Sequence, residues 1–154
     1  MYYDPDQEMP MAQPLRYPLT RPRIDTPPDL AAREERERLS APALRAFFNI
    51  MGRWAVRDED ARSLLGGVSH GPFYEMKRQP DRVLETDRLT RISYLIGIFK
   101  ALNILHGRPL ADEWIRLPNS NPIFDGRTPL EYMLRGGLPA MQTVRRLLDA
   151  RRAG

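Results

Sequence analysis

Two histidines, no cysteine and a set of basic residues that is almost entirely arginine limit the chemistry open to this chain of 154 residues. His70 and His106 lie far apart in the sequence, and neither has a partner at metal-ligand spacing. Without cysteine there is no disulfide, no thiolate nucleophile and no sulfur-ligated metal. No serine sits in a nucleophile elbow, and no glycine-rich phosphate loop follows a strand. Asp58, Glu59 and Asp60 form the one acidic run that a cation would notice. Three acids opening a helix also favour its N-terminal dipole, and that is the reading adopted. His106, near a helix end, reads as a dipole-stabilised cap. No catalytic residue, metal site or cofactor is expected. A binding module is the leading class and an enzyme the third.

The arginines are the remaining chemical signal. The net charge is +4. Residues 1–30 carry three bases against five acids, and residues 126–154 carry six arginines against two acids. The excess belongs to the C-terminal segment, where Arg145, Arg146, Arg151 and Arg152 crowd the end of a helix. Arginines near a helix C-terminus suit its dipole, and solvated capping of that helix is the role read from the residues themselves.

The elements that must carry these groups are helical throughout, so the fold class expected is all-α. Residues 1–28 hold seven prolines and read as a flexible arm, extended or disordered, whose Leu15, Tyr17 and Leu19 could dock on the body or a partner. Residues 29–85 read as a helical region. Asp29 is a candidate cap, Ser40 before Ala41-Pro42 a second helix start, and Leu44, Phe47, Phe48 and Met51 an apolar stripe. Within this region a helix from Asp58, a turn at Gly66-Gly67 with Val68, and a short helix capped by Ser69 make a helix-turn-helix pattern. If it reads DNA, the side chains presented are His70, Tyr74, Lys77 and Arg78. Near-neutral charge and Gly71-Pro72 count against that use.

Residues 86–154 read as a long core helix followed by a C-terminal unit. Thr86 or Asp87 caps the helix, Leu89, Ile92, Leu95, Ile96, Phe99 and Leu102 form its apolar face, and Gly107 fits its C′ position. A short Trp114 helix runs into Pro118. Thr128-Pro129 with Glu131 opens another helix as a capping box, Gly136 or Gly137 stops it, and a last helix runs from about Leu138 to Arg152. No stretch is long and apolar enough to span a bilayer, and the first residues lack a secretory pattern, so a cytoplasmic protein is expected.

The stretch "DEWIRLPNSNPIFDGRTPLEYMLRGGLPAMQTVRRLLDA" resembles the toxin-binding domain of the Xre/MbcA/ParS antitoxin family. The resemblance lies in Trp114, Pro118-Asn119, Phe124, Gly126, Thr128-Pro129-Leu130, Gly136-Gly137, Val144 and Leu147-Leu148. It extends more generally over residues 40–154, with the helix-turn-helix matching the Xre-like region. Leu138-Pro139 departs from the pattern, as does the long arm.

The resemblance implies an antitoxin of a type II toxin-antitoxin pair. Its partner would be a RES-domain toxin that consumes NAD or ADP-ribosylates a target. Neutralisation would come from binding and from blocking the active site with the C-terminal region. The family also implies a homodimer within a larger complex and possible repression of its own operon at operator DNA. Residues expected to meet the toxin are Trp114, Asn119, Phe124, Arg127, Arg145, Arg146, Arg151, Arg152 and Gly154. Arg151, Arg152 or the carboxylate at Gly154 is expected to enter the pocket. The alternative is a stand-alone helix-turn-helix transcription regulator.

Overall fold

The computed structural model describes residues 28–154. The reading of the N-terminal arm therefore lies, apart from Pro28, outside the described residues. The helices are α1 (Arg33–Arg53), α2 (Asp58–Leu64), α3 (His70–Arg78), α4 (Thr86–Leu105), α5 (Leu110–Glu113) and α6 (Pro129–Ala153). Single 3₁₀ turns occupy Trp114–Arg116 and Pro122–Phe124. There is no strand among the described residues, and the fold is all-α.

Helix α4 is the central element. Leu89, Ile92, Leu95, Ile98, Ala101 and Leu102 are buried along it, and it packs on α6 on one side and α1 on the other. Such a wide apolar circumference requires cover on both sides. The buried residues form one cluster running from Leu44 of α1 to Leu148 of α6. Aromatic edges knit the α1–α3 end, with Phe48 meeting Phe47 at 5.2 Å and Phe73 at 5.4 Å between ring centroids.

Several local expectations change in three dimensions. Ser40 does not start a helix, because α1 runs unbroken from Arg33 through Pro42 to Arg53. The Ser40 hydroxyl donates to the Arg36 carbonyl and accepts the buried Leu84 N–H at 2.8 Å. It thereby fastens the α3–α4 connection to α1. The run Arg33–Leu39 forms helix readily, which carries the chain up to Pro42. Pro42 removes one N–H there, a loss tolerated because it faces solvent. Asp29 makes a turn rather than a cap: its carboxylate accepts from Ala31 N at 3.0 Å, and Ala32 holds the N-cap position.

Glu85, not Thr86 or Asp87, precedes the first turn of α4. The Thr86 hydroxyl is drawn instead to the Leu30 carbonyl at 2.8 Å, and Asp87 pairs with Arg91 at 2.8 Å. Gly107 does not adopt the left-handed conformation; His106 ends α4 in an extended conformation.

The break in the last helix is where the glycines place it. The span Pro129–Ala153 consists of two helical rods that meet at a kink, where Gly137 sits at φ 63°, ψ −145°. That backbone region is open to glycine and costly for any other residue. Gly136 serves a different need: a Cβ at that position would lie 2.6 Å from the Ala140 Cβ.

Candidate functional site

The C-terminal unit is built around a loop whose path is fixed residue by residue. Asn119 Oδ1 accepts from Asn121 N at 2.9 Å, and Asn121 Oδ1 accepts from Ile123 N at 3.1 Å. These are two successive side-chain turns, the second capping the 3₁₀ turn that Pro122 opens. Asp125 and Gly126 then take left-handed conformations and reverse the chain. Thr128 Oγ1 accepts from Glu131 N at 3.1 Å, with Pro129 in the first turn, and α6 begins. Each proline removes a donor where none is needed, and each Asn or Thr satisfies an amide that would otherwise lack a partner.

Beneath this loop Trp114, Phe124 and Tyr132 stack edge to face, at 6.1 Å and 5.3 Å between centroids. Trp114 is only 6% exposed and Phe124 is fully buried. Both side chains face the core and support the loop from below. Asn119 is half-buried and committed to its turn, while Arg127 is half-buried with its backbone N–H on the Phe124 carbonyl. Among the residues the loop displays are two large apolar ones, Leu117 at 41% exposed and Ile123 at 39%. Sequence reasoning counted Leu117 only among the apolar residues of the short Trp114 helix and named neither as a site residue. Their signal was an apolar residue on the outer side of a proline, in Leu117-Pro118 and Pro122-Ile123.

The C-terminal arginines divide into held and free groups. Arg145 donates from Nε to Asp149 at 2.8 Å, and its guanidinium lies over Gly97 of α4, where a Cβ would collide with it. Asp149, overlooked in the sequence, also approaches Arg152 at 3.8 Å. An open notch between Arg145, Asp149, Arg152 and Ala153 results. Arg146 and Arg151 are exposed and form no ion pair among the described residues, and Gly154 is exposed beyond them. At the other end of the unit, Arg53 of α1 grips Asp112 of α5 through two hydrogen bonds, at 3.0 and 3.2 Å. Arg53 also lies over the Phe99 ring, 5.4 Å from its centroid.

The four side chains considered for DNA sit together on α3, largely engaged with the protein. Tyr74 Oη donates to Asp58 Oδ2 at 2.9 Å, and Lys77 Nζ donates to Asp58 Oδ1 at 3.1 Å. The bond from Lys77 first, and then that from Tyr74, hold the Asp58 carboxyl below its usual range, while the bond to the Asp58 carboxylate raises the Tyr74 phenol. Arg78 pairs with Glu75 at 2.9 Å. The His70 ring packs on Tyr74 at 4.5 Å and meets Arg62 Nη1 at 3.5 Å.

The described residues thus form an all-helical body that carries an ordered loop and a charged helix end. Residues 101–154 match the model of the antitoxin Xre/MbcA/ParS C-terminal toxin-binding domain. Over those residues the chain belongs to the Xre/MbcA/ParS antitoxin family, and that domain supports an antitoxin role with a toxin as partner. A relative from Sinorhizobium fredii, named uncharacterized protein y4oB, is 39% identical over 112 residues, spanning 72% of this chain and 84% of its own. No solved structure matches the chain significantly. Among the described residues, no helix is long and apolar enough to cross a membrane.

Proposed function

We propose that this antitoxin neutralises a RES-domain toxin, one that consumes NAD or ADP-ribosylates a target, by covering its active site. The observation that carries the reading is the pairing of a rigid apolar loop with a free cationic helix end in one unit. Leu117 and Ile123 supply desolvated contact, for which an already ordered loop loses little entropy on binding. Arg146 and Arg151 supply charge, and the segment Arg151 to Gly154 is the group proposed to enter the NAD pocket. Trp114, Asn119 and Phe124 act in this scheme by shaping the loop, and Arg145 by holding the helix against α4. An arginine taken into a buried pocket requires an acid there, since an unpaired buried charge is costly.

The test is to co-express the chain with its neighbouring gene product, purify the pair and follow NAD turnover. A silent complex is expected, with turnover returning when residues 151–154 are deleted while the complex persists. Full neutralisation by the shortened chain removes the plug mechanism, and absence of any complex removes the RES partner. The mass of the complex reports whether two antitoxin chains are present.

Operon repression through α2 and α3 is the other reading, and the ion pairs count against it. Residues 58–78 carry four acids and three bases. Asp58, Glu59 and Asp60 stand at the N-terminus of the first helix of the motif, a position from which DNA phosphates would be repelled. A mobility shift on the upstream DNA that weakens steeply with salt would restore it.

A further inference from the structure

An apolar groove of about 290 Å³ opens between α1 and α4, on a face that the antitoxin reading does not use. Leu39, Pro42 and Ala43 line one wall, Ile92 and Ile96 the other, and Pro28 stands at its mouth. The chain is held firmly there. The Leu30 carbonyl accepts from Thr86 Oγ1 at 2.8 Å and from Arg36 Nη1 at 3.1 Å, and Arg36 reaches the Ala31 carbonyl as well. The backbone preceding Pro28 therefore emerges at the groove itself.

Twenty-seven residues precede that point. Among them is "PLRYPL", Pro14 to Leu19, in which Leu15, Tyr17 and Leu19 alternate with other residues. In an extended chain such alternation puts three apolar side chains on one face. Pro14 and Pro18 favour that extended backbone and reduce the freedom lost when it docks. Leu19 lies nine residues before Pro28, a span of at most about 30 Å, ample for the segment to double back along the groove.

We propose that the α1–α4 groove is covered in cis by the chain's own Pro14–Leu19 segment, with Leu15, Tyr17 and Leu19 as its anchors. Attachment through a short tether gives the segment an effective concentration of roughly millimolar at the groove. A separate chain reaches that only at comparable bulk concentration, so the tethered segment is favoured over a second copy. The inference stands independently of which toxin is bound.

The absence of native cysteine makes the test direct. Ser93, exposed at the edge of the groove, is replaced by Cys, and Arg16 or Thr20 is replaced by Cys in the same chain. A control pairs the same arm positions with Arg146→Cys on α6. Oxidation of dilute full-length protein should give an intramolecular disulfide at least roughly tenfold faster with Ser93→Cys than with Arg146→Cys. Adding Leu15→Ser, Tyr17→Ser and Leu19→Ser should remove that advantage without changing helical content. Equal rates for the two partners overturn the proposal. So does cross-linking that appears only between chains, which assigns the groove to a second copy.

Discussion

The paired glycines at the bend of α6 invite a perturbation whose two halves should behave differently. Gly137→Ala places a side chain at φ 63°, ψ −145°, with no neighbouring atom within 4 Å of the new Cβ. The whole cost is backbone strain, about 1–3 kcal/mol. For a chain of this size that lowers Tm by roughly 2–12 °C. Gly136→Ala meets no backbone strain of that kind but drives its Cβ to 2.6 Å from the Ala140 Cβ. Neither methyl can rotate away, so the two rods must splay, an overpacking cost of about 1–3 kcal/mol.

A double-mutant cycle with Ala140→Gly separates the causes. Removing the Ala140 methyl makes room for the methyl that Gly136→Ala introduces, so that pair should show a favourable coupling of about 1 kcal/mol or more. The Gly137→Ala pair should be additive within about 0.5 kcal/mol. Urea titration of each variant, with far-UV circular dichroism to confirm the fold, supplies the values. A neutral Gly137→Ala, or equal coupling in both cycles, refutes the reasoning. The same variants in the toxin-binding assay report whether the direction of the last rod matters to the partner.

Ser40→Ala leaves the buried Leu84 N–H without an acceptor and should cost about 1–3 kcal/mol in denaturant titration; a change below about 0.5 kcal/mol would mean that water or a backbone shift replaces the hydroxyl. Gly97→Ala displaces the Arg145 guanidinium from α4, so it should gain nothing in the native background. In an Arg145→Ala background it should stabilise by about 0.5–1 kcal/mol, the helix propensity gained, and thermal melts of the four proteins check the reversal. The depressed Asp58 carboxyl adds stability that is present above its unfolded-state pKa and lost as pH falls through its lower folded value. The Tm difference between native protein and Asp58→Asn should therefore persist from neutral pH down to about 4 and close below it. A difference that is unchanged at pH 2 would show that the Lys77 and Tyr74 bonds are not its source.

Much of this molecule was legible in the order of its residues. Stripes at helical spacing along α4 and the last rod, Thr128-Pro129 opening α6, and Gly136-Gly137 breaking it are signals acting within one or two turns. The Pro-Asn motif after Trp114 and the downstream glycines carried the family resemblance for the same reason: they specify a local backbone path. The tertiary structure decided which side of that path faces out. Trp114 and Phe124 were expected at the partner surface but turn inward, because large aromatic rings gain most where they are fully covered. Leu117 and Ile123 are left outside by prolines that fix the loop's direction.

The arginines show the same division. Their excess at the C-terminus follows from counting, but which of them are free depends on Asp149 one turn away and on Gly97 in another helix. Ser40 resembled a helix start because its acceptor role can satisfy any nearby amide, and only the fold selected Leu84, 44 positions away. Arg53 with Asp112 joins α1 to α5 across 59 positions, a pairing that the many similar arginines and acids made impossible to choose in advance. Helix starts, stops and faces are set by neighbours in the chain and can be read there; partners across the core exist only once α4 has brought α1 and α6 to its two sides.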